Sequence, residues 1–200
     1  MEMDIVARGT YSYTVLATAR SIRVMVLHSS KTFDQPLACD LMQVEIEACA
    51  EPQHEYDAVS YCWGEPNFSH SLMCNGEQLK ITPNVDSLLR YLRKPHRPCR
   101  LWVDGICINQ QDADEKSLQV ALMGDIFFSA VRVHVWLGEA YESDDEAIVS
   151  LKRFAYLGNK GINHWNKADW SRLPQGKAVI AIHCLITRPW FSRRWVRAGH

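Results

Sequence analysis

Trp63-Gly64-Glu65 closes one apolar run and Asp104 closes another, Leu101-Trp102-Val103-Asp104. An aromatic residue, a glycine and two acids at run ends have a definite chemistry. An aromatic face holds a planar ring, and a glycine-bearing loop lets backbone amides approach a phosphate. A carboxylate stabilises positive charge that develops in a transition state. Asn109 and Gln110 follow Asp104 as neutral hydrogen-bonding groups, with Glu115 beyond them, and Ser60 stands just before Tyr61-Cys62-Trp63-Gly64. Each also has a plainer reading. Glu65 is then an exposed turn residue, and Asp104 a carboxylate that caps nearby amides. Glu115 becomes a first-turn helix acid, and Asn109 and Gln110 close a turn.

Two further Trp segments sit at run ends: Val135-Trp136-Leu137-Gly138, and Arg188-Pro189-Trp190-Phe191 leading into Arg194-Trp195-Val196. Strand ends are where open parallel sheets bind ligands. The four segments together predict an aromatic-lined face, although a large aromatic alone is ordinary core filling. Arg188, Arg193, Arg194 and Arg197 form a basic patch able to hold a phosphate, or merely to be solvated. Cys107 and His134 are the residue types of a nucleophile and its base. Their surroundings favour a buried thiol and a packed histidine.

These residues need a scaffold. Residues 22–27, 41–46 and 56–61 read as strands, the first two as an antiparallel pair. Asn75-Gly76 marks a hairpin between 71–74 and 78–81. Thr82-Pro83 opens a helix with Val85, Leu88, Leu89 and Leu92 on one face, ended by Pro95 and Pro98. A strand at 100–104, a helix over 114–128, a strand at 131–137 and a helix from Ser143 to Leu157 follow. A polar loop holding Trp165 and Trp170 then precedes a very apolar, buried helix over 178–186. Alternation from residue 56 onward predicts an α/β fold. Its sheet is expected to be mostly parallel and flavodoxin-like, flanked by helices, with N-terminal antiparallel strands and a β-hairpin insertion.

The 200 residues carry a net charge of −1, which gives no reason to expect nucleic acid as a partner. Seven cysteines without a Cys-x-x-Cys pair read as reduced, mostly buried thiols, with no metal site and no cofactor expected. No basic leader or long apolar window is present, so the expectation is a cytoplasmic chain with no membrane span.

The blocks 56–64, Leu101-Trp102-Val103-Asp104-Gly105-Ile106-Cys107-Ile108-Asn109-Gln110, Glu115 with Gln119-Val120, 123–127, 131–138 and 188–196 resemble the fungal heterokaryon incompatibility (HET) domain. The resemblance runs from about residue 20 to 196. It leaves 1–19 as an N-terminal extension and 197–200 as an atypical end. It implies a role in nonself recognition and programmed cell death, and a fold distantly like TIR domains. Two activities follow from it. One is signalling by self-association or with other incompatibility proteins. The other is cleavage of the nicotinamide–ribose bond of NAD, with NAD as substrate. For cleavage, Asp104, Glu65 and Glu115 are the candidate acids. Ser60, Trp63, Gly64, Asn109, Gln110, Arg194 and Trp195 are the candidate nucleotide-binding residues. The family pattern continues into Gln-Glu after Trp-Val, whereas Trp195-Val196 is followed here by Arg197-Ala198-Gly199-His200. If that glutamate carries the chemistry, a chain ending this way is expected to be inactive and truncated.

Overall fold

The computed structural model describes residues 9–46, 55–160 and 175–192. It divides into two compact units, 1–136 and 137–200. The first unit holds a seven-stranded sheet. Its strands are β1 (Ser21–Leu27), β2 (Ala38–Glu45), β3 (Asp57–Tyr61), β4 (His70–Cys74), β5 (Glu77–Ile81), β6 (Cys99–Trp102) and β7 (Arg132–Trp136), in the order β5-β4-β2-β1-β6-β3-β7.

The sheet is mixed, which corrects the expectation of a mostly parallel one. β6, β3 and β7 run parallel, as do β2 and β4. β1 pairs antiparallel with both β2 and β6, and β4 with β5. The Asn75-Gly76 hairpin forms as expected, with positive φ at both residues. It is no separate insertion, because β4 pairs with β2 and extends the same sheet.

Four helices complete this unit: α1 (Pro83–Leu92), α2 (Asp104–Cys107), α3 (Ala113–Ala121) and α4 (Met123–Ser129). Thr82 caps α1 by accepting the Val85 N–H, Pro83 sits in the first turn, and Val85, Leu88 and Leu89 are buried. Asp112 caps α3 by accepting the N–H groups of Asp114 and Glu115. The single helix expected over 114–128 breaks at Leu122, between α3 and α4.

Helices cover both faces of the parallel strands. The Tyr56 hydroxyl donates to the Ile126 carbonyl of α4. The next residue, Asp57, points the other way and meets His134 at 2.9 Å. Trp136, two residues after His134 and so on the same face, donates to Asn84 of α1. The chain runs from β3 to β6 and then returns across β3 to β7, reversing direction at β3. The carboxyl ends of β3 and β6 lie side by side.

Residues 9–19 run along this unit. Tyr11 N–H donates to Gln78 O, the Tyr13 hydroxyl to Ile106 O, and Gln43 brackets Val15 and Ala17. In the second unit α5 (Asp144–Lys160) packs on α6 (Lys177–Ile186) through Ala147, Ala181 and Leu185. The expectation of a buried helix holds for one face of α6 only. Ala178, Ala181 and Leu185 are buried, whereas Val179, Ile180 and Ile186 are exposed. A short 3-10 turn follows at Pro189–Ser192. No helix among the described residues is long and apolar enough to cross a membrane.

Candidate functional site

At the carboxyl ends of β3 and β6, Trp63 and Asp104 meet. The Trp63 indole Nε1 donates to Asp104 Oδ2 at 3.0 Å, and the Gly105 N–H donates to Oδ1 at 2.7 Å. The Tyr61 hydroxyl is a third partner of this carboxyl group. Burial first, and then the Asp104 charge, push that hydroxyl well above the usual tyrosine range. Three donors converging on one carboxylate stabilise negative charge there. A Cβ on Gly105 would lie 2.5 Å from Tyr61 Oη, so the contact requires glycine at 105. Gly64 takes φ +71°, a conformation that turns the chain sharply just after Trp63.

The loop after Asp104 is locked from beneath. Gln110 Nε2 donates to the Asp104 carbonyl at 2.9 Å. Glu115 accepts the Asn109 N–H at 2.7 Å and takes a two-pronged ion pair from Arg23, at 2.6 and 2.9 Å. Arg23 lies in the middle of β1, is 1% exposed, and also donates to the carbonyls of Cys107 and Thr14. Burial works against the Glu115 charge, but hydrogen bonds from Arg23 and the Asn109 amide outweigh it and hold the carboxyl below its ordinary range.

On the other side of β3, Asn84 ties three elements together. Its Nδ2 donates to Cys62 O at 2.6 Å, and its Oδ1 accepts from Trp136 Nε1 at 2.8 Å. Tyr91 of α1 lies 5.3 Å from the Trp136 ring.

The structure therefore brings Trp63, Asp104 and Gln110 together and adds Tyr61 and Gly105. Glu115 is taken up by Arg23, behind the loop. Glu65 is exposed, and its carbonyl accepts the Asn67 N–H. Ser60 is buried within β3. Asn109 is half-buried and closes a turn by accepting the Gln111 N–H. Arg194 and Trp195 lie outside the described residues, as do Arg193 and Arg197. Arg188 is no open phosphate ligand. It is buried, donates to Asp144 at 2.6 Å and to Leu137 O, and covers the Tyr141 ring.

Among the described Trp residues of the first unit, each has a separate role, and Trp195 of the expected aromatic-lined face lies outside the described residues. Trp102 is fully buried against Phe127, Trp136 is half-buried against α1, and Trp63 is exposed with its indole N–H on Asp104. Cys107 is fully buried and its thiol is pushed up to about 12 by burial, while His134 is occupied by Asp57. That is the packing expected of core groups. Among the described residues no group of three or more His, Cys, Asp or Glu could hold a metal ion.

Sequence reasoning missed Arg23, Asn84, Tyr61 and Gly105. Arg23 carried a readable signal, a cation in the middle of an apolar run. Asn84 carried none, because its partners are 22 and 52 residues away.

A family model described as heterokaryon incompatibility protein (HET) matches residues 56–197. Heterokaryon incompatibility protein 6, OR allele, of Neurospora crassa is 31% identical over 236 aligned positions, covering 97% of this chain and 34% of that protein. The chain thus spans about a third of the length of that curated relative. No solved structure matches it.

Proposed function

Because the chain belongs to the heterokaryon incompatibility (HET) family, we propose that it is a cytoplasmic signalling domain of fungal nonself recognition, leading to programmed cell death through self-association. The name of the Neurospora crassa relative supports the biological role. One observation favours association over chemistry. Two of the candidate acids are spent on structure, Asp104 on the carboxyl ends of β3 and β6 and Glu115 on Arg23. The test is sedimentation velocity of the purified chain over a wide concentration range, for the parent and for Asp104→Asn. Reversible association unchanged by the substitution is expected. A parent that stays monomeric throughout would sink the reading.

A second reading is a TIR-like NAD glycohydrolase that cleaves the nicotinamide–ribose bond. Its support is the meeting of Trp63 and Asp104 at the carboxyl ends of β3 and β6, within three parallel strands covered by helices on both faces. There the Asp104 carboxylate would stabilise the oxocarbenium-like transition state, and Trp63 would bear against a planar ring. Nicotinamide release that disappears in Asp104→Asn would favour this reading.

A further inference from the structure

The strand order gathers positive charge at one edge of the first unit. Lys94, His96, Arg97 and Arg100 lie in and just after the loop that leads into β6, and all four are exposed. The Ser30 N–H donates to the Lys94 carbonyl, which brings the turn carrying Lys31 beside them. Asp57 pairs in register with both Leu101 and Arg132, so Arg132 enters at the same amino-terminal edge of the parallel strands. Among the described residues, Lys31, Lys94, Arg97, Arg100 and Arg132 make no ion pair, while the acids of this edge outside ion pairs are Asp34 and Glu55. Pro95 and Pro98 stiffen the loop, so little conformational freedom is lost when a partner binds.

The second unit carries the complement. Glu142, Asp145 and Glu146 are exposed around Asp144, which is held by Arg188. Acids are favoured at the start of α5 by the helix dipole, and Glu142 extends the acidic run before the helix begins.

We infer that the basic edge of the first unit docks onto the acidic segment Glu142–Glu146 of a second copy of this chain. The inference rests on the self-association reading and gives it a surface. Charge complementarity selects the partner. A stiff basic loop and a short acidic run are unlike patches, so the contact is head-to-tail and leaves one surface of each kind open at the ends of an assembly. Attraction between exposed charges also makes the contact salt-sensitive, because the screening length falls from about 10 Å at 0.1 M to about 3 Å at 1 M.

The experiment is sedimentation velocity of the whole chain at low and high salt. It uses the parent, the basic-edge variant Lys94→Gln/Arg97→Gln and the acidic variant Glu142→Gln/Asp145→Asn, each checked for parental far-UV dichroism and melting. The parent is expected to associate at least about tenfold more weakly at 1 M than at 0.1 M salt. Each variant alone is expected to stay monomeric. A mixture of the two is expected to form one-to-one dimers and nothing larger, because each retains the surface the other lacks. Association that ignores salt, or that survives in either folded variant, overturns this surface while leaving self-association standing. Loss in the basic-edge variant alone assigns that edge to a different acidic partner and also overturns the inference. A parent that is monomeric under every condition removes both this inference and the reading beneath it.

Discussion

Gly105 sits against the Tyr61 hydroxyl with no room for a methyl group. Gly105→Ala is therefore expected to cost about 1–3 kcal/mol, the usual penalty of overpacking, read as a lower urea midpoint. Tyr61→Phe removes the clashing oxygen, so the double variant should recover part of that loss. If the two effects simply add, the contact is not what constrains position 105. Asp104→Ala should cost about 1–3 kcal/mol as well, because it strands the buried Tyr61 hydroxyl. It should also change Trp63 fluorescence, since the indole N–H loses its acceptor. The sequence pointed to Trp63 and Asp104 through their places at run ends. It was silent on their hydrogen bond, which depends on how β3 and β6 lie side by side. The plain reading of Asp104 is the one its contacts express: its carboxylate caps the Gly105 amide and accepts the Trp63 indole N–H.

The loop after Asp104 depends on Arg23 and Glu115. Breaking a buried ion pair by removing one partner costs about 3–5 kcal/mol, so Glu115→Ala should be among the most destabilising changes in the loop region. The pair also predicts a pH dependence. Glu115 is depressed in the folded chain, so its contribution is complete above the unfolded glutamate value of about 4.3. It is lost as pH falls below that value and through the folded one. Chemical denaturation between pH 3 and 7 should show a shallower acid limb in Glu115→Gln than in the parent. Equal slopes would remove Glu115 from the acid sensitivity. Residues 9–19 belong to the same clamp, because Thr14 O accepts from Arg23 and the Tyr13 hydroxyl reaches Ile106 O. A chain starting at residue 20 is expected to melt at least several degrees below the parent in calorimetry. No local pattern announced this strap, since its partners lie up to 93 residues away. The helix over 114–128 was legible from the acids Asp112, Asp114 and Glu115 at its start. Its break at Leu122 was not, and the inward turn of Gln119 onto the Ser21 carbonyl just before it depends on a residue 98 positions away.

At the scale of the whole chain, the alternation of apolar runs and helical stretches identified an α/β fold, and Asn75-Gly76 fixed one hairpin. The parallelism of the sheet was over-read, because a strand's sequence does not say which neighbour it takes. β1 inserts between β2 and β6 and runs against both. The family was legible because its blocks recur in order, and the matching model covers residues 56–197. What no pattern supplied is the choice between association and chemistry. The measurement that bears on it most directly is nicotinamide release from NAD by the purified chain, at a concentration where sedimentation shows it associated, beside Asp104→Asn under the same conditions. Association without release, unchanged in the variant, is the predicted result. Release by the parent that vanishes in a folded Asp104→Asn would contradict it and make the Trp63–Asp104 pair part of an active site.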